Sequence, residues 1–140
     1  MPANRILVPI DGSKCSIHAL EYAARRQQAA ADTDVVVLNV QSSIRPSRVL
    51  TRALIAEHHE RNSAEALQPA RAAIKRLGLR ATCHTVVGDP AASIVAFAQK
   101  KRCDEIVMGA HGHGAIATLL MGSVAGAVSS HATVPVQLVA

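Results

Sequence analysis

Five short apolar runs, alternating with stretches of helical spacing, constrain the fold of this chain more than any other feature. The runs are Arg5–Ile10, Asp34–Val40, Arg80–Val87, Glu105–Ala110 and Val134–Val139. Most lack the in-and-out polarity of a strand with one wet face, and several are rich in Val and Ile, as strands covered on both faces are. Between them lie helical patterns at Ser13–Ala31, Val49–Leu77, Ala91–Lys100 and Ser123–His131. Gly78 ends the second pattern and Pro90 opens the third, the usual placing of these residues at helix ends. Gln41–Arg48, with Pro46, reads as a polar loop. Pro69 falls inside the long second pattern and is expected to kink or divide it, because it removes a backbone donor. Strand and helix in strict alternation predict an α/β fold, an open, doubly wound, five-stranded parallel sheet with helices on both faces. No repeat or linker interrupts it, so residues 1–140 read as a single domain.

A chain of 140 residues is long enough to bury roughly 70% of its unfolded surface. Hydrophobic residues make up 49% of it and aromatics 1%, so the core must be built from Ala, Val, Ile and Leu. That scarcity of aromatics argues against nucleic-acid binding by base stacking. The formal charge is +5, but the basic residues fall in short clusters (Arg25-Arg26, Arg45/Arg48/Arg52, Lys100-Lys101-Arg102) on separate segments, which reads as solvated surface rather than one polyanion patch. The first strand begins within a few residues of Met1, which predicts no secretory leader. The nearest approach to a membrane span, Ala115–Val128, is short and is broken by Gly122, Ser123 and Gly126, where a span needs ~18 apolar residues. Cys15, Cys83 and Cys103 form no CxxC pair. A reducing cytoplasm is the expected setting.

The fourth run leads into GAHGHGAIATLLMGS, Gly109 to Ser123, and then into the small-residue helix VAGAVSSHA. A strand, a glycine loop and a helix start make an anion site from backbone alone, because unpaired N–H groups and the helix dipole converge on one place. Glycine allows close approach and φ > 0. Two familiar phosphate loops fail here. A Walker loop needs Lys immediately before the serine, where Met121-Gly122 stands. Gly112-His113-Gly114-Ala115-Ile116-Ala117 fits a dinucleotide pattern, but no Asp or Glu occurs from Ile106 to the C-terminus to receive a ribose.

The spacing that remains is Gly109-x-x-Gly112, nine residues, then Gly122-Ser123. Together with Val8-Pro9-Ile10-Asp11-Gly12-Ser13 and Gly88-Asp89-Pro90, it closely resembles the universal stress protein family, and specifically its ATP-binding branch. The resemblance runs from Arg5 to Val136. It implies the strand order 3-2-1-4-5, with a nucleotide at the switch point between the first and fourth strands. It further implies that Pro9 and Val40 flank the adenine, with Met108 and Gly109 near adenine and ribose. Asp11 would accept hydrogen bonds from the adenosine. Gly112, Gly122, Ser123 and Val124 would hold the phosphates. From the residues alone, Asp11 reads equally as a turn or capping residue and Ser123 as a helix N-cap. The implied ligand is ATP, ADP or AMP, with Mg²⁺ carried on the phosphates.

Two departures concern charge. Ala110 stands where Ser or Thr is common in the family, and His113-Gly114-Ala115 replaces a stretch that usually carries an arginine. Compensation would then come from Mg²⁺, from His111 or His113, or from Arg45, Arg48 and Arg52. Elsewhere, Glu57-His58-His59-Glu60 does not read as a metal site, since adjacent helical residues point in different directions. Cys15 reads as a packed cysteine near a helix start. His18, His84 and His131 have no recognisable catalytic partners. The expected function is adenine-nucleotide binding that sets conformation or partner choice. A slow ATP-hydrolysing or group-transferring enzyme and a dimeric interaction module without nucleotide stand as alternatives. A homodimer through Val134–Val139 is expected from its uncharged sheet edge and from the resemblance.

Overall fold

A computed structural model describes residues 4–112 and 121–140 of the chain. Its elements are β1 (Asn4–Pro9), α1 (Lys14–Ala29), β2 (Thr33–Gln41), α2 (Arg52–Leu77), β3 (Ala81–Val87), α3 (Pro90–Lys100), β4 (Glu105–Gly109), α4 (Ser123–His131) and β5 (Val136–Val139). The five strands form one parallel sheet in the order β3-β2-β1-β4-β5. Successive strand residues feed opposite faces, and both sets are apolar. Ile6, Val8, Val35, Val37 and Val107 pack with Leu20, Ala23, Leu67 and Ala70 of α1 and α2. Leu7, Val36, Leu38, Ile106 and Met108 pack with Ile94, Phe97, Ala125 and Val128 of α3 and α4. Covering both faces is what makes the strands continuously hydrophobic, and each fully buried Leu, Ile or Val contributes about 1.5–3 kcal/mol.

Several expected boundaries move, most by one or two residues. The second helix starts at Arg52 rather than Val49, because the Thr51 hydroxyl accepts from Leu54 N at 3.3 Å and caps it there. Val49 and Leu50 lie outside the helix, exposed. Pro69 does not divide the helix, which is one element from Arg52 to Leu77. Its ring sits on the exposed side, where water can satisfy the carbonyl that lost its donor, while Leu67, Ala70 and Ala73 hold the inner face. The last strand is shorter than the run Val134–Val139 and begins at Val136, with Pro135 O already accepting from Ile106 N at 3.0 Å.

The sheet opens between β1 and β4. β1 pairs with β2 along its whole length, from Asn4↔Thr33 to Pro9↔Leu38. With β4 its registered partners are only Ile6↔Glu105 and Leu7↔Ile106. Ile10 N donates to Leu38 O at 2.8 Å, so one residue earlier the backbone donor would point toward β4. Pro9 stands there and has no N–H to give. Beyond that point the two chains part, β1 leading to α1 on one face and β4 toward α4 on the other, which leaves a crevice outside the strand ends.

Candidate functional site

The crevice is a cleft of about 380 Å³, within the range of small-molecule sites. Its apolar wall is formed by Pro9, Leu38, Val40, Pro90, Ile94 and Met108, and its polar end by Asp11, His111, Gly112, Gly122, Ser123 and Val124. The structure therefore gathers every residue singled out in the sequence (Pro9, Asp11, Val40, Met108, Gly109, Gly112, Gly122, Ser123 and Val124) around one cavity. Residues 113–120, which include His113, lie outside the described residues.

The β1–α1 loop is fixed by its own side chains. Asp11 Oδ1 accepts from Ser13 N at 2.9 Å, closing a turn through Gly12, whose φ of +86° favours glycine. Ser13 is the N-cap of α1, its hydroxyl accepting from Ser16 N at 3.3 Å. Asp11 is thus a turn residue and not the cap, and its side chain stays exposed at the cleft rim. Asn39, which sequence reasoning passed over inside an apolar strand, is 2% exposed and donates from Nδ2 to Ile10 O at 2.8 Å. Gln41 Nε2 donates to its Oδ1 at 2.8 Å. A buried amide thus holds the end of β1 at the mouth of the cleft. The only signal was one polar residue in the run Asp34–Val40. Ile10, Leu38, Pro90 and Ile94 were also missed as cleft walls, because nothing but topology brings them there.

The glycine loop closes on itself. Gly122 N donates to Ala110 O at 2.6 Å, and Ala110 N donates to Val139 O at 2.8 Å, so both ends of the loop meet at the tip of β4. Gly122, with φ −73° and ψ 166°, is the N-cap of α4, and Ser123 is its first residue. The expectation of Ser123 as a cap is corrected: the cap is set by the extended backbone at 122, where no side chain is present. Nor does Gly122 need positive φ; among the described glycines only Gly12 and Gly78 have it. A Cβ on Gly122 would lie 3.5 Å from Ala110 O and 3.7 Å from Gly112 N, in ordinary contact. Gly109 is required by packing, whereas at Gly112 only the mobile end of the exposed Asp11 side chain stands in the way. A Cβ on Gly109 would sit 2.7 Å from Cys15 Cβ, against the start of α1, and one on Gly112 would collide with Asp11 Oδ2.

The helix ends differ in one respect. Ser13, Thr51 and Asp89 cap α1, α2 and α3 with side-chain oxygens, Asp89 accepting from Ala92 N at 3.0 Å. Gly88-Asp89-Pro90 is thereby a helix start: a Cβ on Gly88 would press on Ser93 Oγ, and Pro90 opens α3. At α4 no side chain makes a cap hydrogen bond. Its first N–H groups, at Ser123 and Val124, point with the helix dipole toward the cleft end.

Charge is sparse. Asp11 and His111 are the ionisable residues lining the cleft, and no Lys or Arg does so among the described residues. Arg45, Arg48 and Arg52 are exposed and are not part of its wall. No group of three or more His, Cys, Asp and Glu capable of holding a metal occurs among the described residues. His58 Nε2 lies 2.9 Å from Asn62 Nδ2 and His59 Nε2 is 3.0 Å from Ser42 O, so each has a protein partner. All three cysteines are free. Burial pushes the Cys103 thiol up to about 11 and also raises that of Cys83, which leaves both poor nucleophiles.

The family model described as the universal stress protein family matches residues 2–140. The chain belongs to the universal stress protein family. The universal stress protein MJ0531 of Methanocaldococcus jannaschii is 31% identical over 138 residues, covering 97% of this chain and 81% of that protein. The structure of universal stress protein UspA from Lactobacillus plantarum matches with a TM-score of 0.87 at 23% identity, over 100% of this chain and 99% of that one, a likeness of fold. The universal stress protein of Archaeoglobus fulgidus in complex with dAMP is 27% identical with a TM-score of 0.67, covering 100% of both chains. In the described residues no helix is long and apolar enough to cross a membrane.

Proposed function

We propose that this universal stress protein binds an adenine nucleotide, ATP, ADP or AMP, in the cleft between β1 and β4, and that the bound nucleotide sets its conformation or its choice of partner. The observation that carries this reading is the uncapped start of α4 facing a cleft with an apolar wall. A flat adenine suits Pro9, Val40 and Met108, and phosphate oxygens suit the N–H groups of Ser123 and Val124 beside Gly112 and Gly122. The exposed carboxylate of Asp11 is free to accept from the adenosine hydroxyls on Oδ2 while Oδ1 keeps its turn. The relative from Archaeoglobus fulgidus, solved with dAMP, supports an adenine nucleotide as the ligand. Mg²⁺ would ride on the phosphates, with Asp11 the only carboxylate at hand.

Binding rather than turnover is favoured because no nucleophile, base and orienting group are hydrogen-bonded to one another among the described residues of the cleft. Hydrolysis or self-phosphorylation, where it occurs, is slow; turnover of order 1 s⁻¹ or above would make this an enzyme instead. The three free cysteines suit a reducing cytoplasm. Nucleotide at about a hundred times its dissociation constant adds ~2.7 kcal/mol of stability, raising the melting temperature by roughly 5–10 °C for a domain of this size. A thermal melt with Mg²⁺ and each of ATP, ADP and AMP tests this. No shift with any of them at millimolar concentration contradicts it, once mass spectrometry has shown the starting protein to be free of nucleotide.

A further inference from the structure

We infer that the cleft selects a nucleoside monophosphate over the di- and triphosphate when no divalent cation is present. This rests on the adenine-nucleotide reading and ranks the ligands within it. The polar end offers hydrogen-bond donors but no Lys or Arg among the described residues. From Gly109 to Ser123 the chain contains no Lys or Arg, and none lines the described part of the cleft. Among the described residues, what faces a phosphate is the start of α4, equivalent to roughly half a positive charge, and the ring of His111. Its Nδ1 is buried without a hydrogen-bond partner among the described residues.

Against these stands the carboxylate of Asp11, which shares that end of the cleft. Its Oδ2 lies so close to Gly112 that a Cβ there would collide with it. One phosphate group can be satisfied by the N–H groups of Ser123 and Val124. Each further phosphate brings charge beside Asp11 with no Lys or Arg among the described lining residues to neutralise it, and the repulsion acts at short range in a partly enclosed site. Cys15 packs against Gly109. Helix α3 contributes only Pro90 and Ile94 to the wall.

Calorimetric titration of the nucleotide-free protein with adenosine, AMP, ADP and ATP in EDTA, at about 20 mM and about 200 mM salt, tests the ranking. AMP is expected to bind more tightly than adenosine and roughly fivefold more tightly than ATP at low salt. The gap between AMP and ATP should shrink at high salt, where the repulsion is screened. Asp11→Asn, which keeps an oxygen for Ser13 N, should move the ATP-to-AMP affinity ratio toward ATP even if both bind less well. ATP binding as tightly as AMP or more so in EDTA would overturn the inference while leaving nucleotide binding intact. Adenosine binding as well as AMP would remove the phosphate contact on which it depends. Binding of none of the four would overturn the nucleotide reading itself.

Discussion

At the scale of single residues, the site is held open by groups that never face a ligand's reactive atoms. Pro9 withdraws a donor where β1 and β4 would otherwise zip together, and Asn39 ties the end of β1 to β2 by a side-chain bond to Ile10 O. Asn39→Ala leaves a buried carbonyl without its donor, which costs about 1–3 kcal/mol. The expected outcome is a denaturant midpoint shifted by that amount, with weaker nucleotide binding because the end of β1 is no longer fixed. Unchanged stability would mean that Ile10 O finds water or another donor. Pro9 and Asp11 were legible from their motif, whereas Asn39 was not. A polar residue in an apolar strand gives no hint from sequence of which carbonyl it will meet.

At the scale of elements, most of the architecture could be read before any coordinates were known, and the remainder was a matter of hydrogen bonds. Runs of Val and Ile announce strands buried on both faces, and the alternation with helices announces a parallel sheet. The order of the strands came from the family resemblance, since periodicity says nothing about which strand lies beside which. Helix ends were misplaced by one to three residues where capping decided them. Thr51 moved the start of α2, whereas α4 runs from Ser123 to His131 as expected, with Gly122 rather than Ser123 as its cap. Pro69 was read as a break because sequence does not show that its side of the helix faces water. The same geometry revises what Gly122 is for. With φ at −73° and only ordinary contacts for a Cβ, Gly122→Ala should leave stability within about 1 kcal/mol of wild type. In Gly122→Val the added methyl groups would fill the space beside Gly112, so AMP affinity should fall at least about tenfold, while adenosine is affected less. A valine variant that binds AMP as the parent does would show that phosphate lies elsewhere.

At the scale of the whole molecule, the cleft stands where a doubly wound sheet changes direction, and β5 stands at the edge beyond β4. That edge strand, Val136-Gln137-Leu138-Val139, carries no charge, and its outer backbone row has no strand partner among the described residues, a hazard that most proteins cover. We propose that a second copy covers it by antiparallel pairing about a two-fold axis. Because Val139 O holds Ala110 N at the tip of the glycine loop, such a contact would adjoin the nucleotide site and give the ligand a route to partner choice. Val136→Lys should then shift the protein toward monomer, at some loss of stability, since Val136 also packs on the core of α3 and α4. Light scattering that reports a monomer for the unaltered protein at micromolar concentration would exclude the dimer.

The claim on which the rest depends is that an adenine nucleotide lies across the switch point with its phosphate on the start of α4. Amide chemical shifts of isotopically labelled protein titrated with AMP test it most directly. The largest changes are predicted at Ser123, Val124 and Gly112, with smaller ones at Asp11 and Val40, and with adenosine the changes at Ser123 and Val124 should largely vanish. Saturable shifts confined to residues away from this cleft, with Ser123 and Val124 unmoved by AMP, would contradict it.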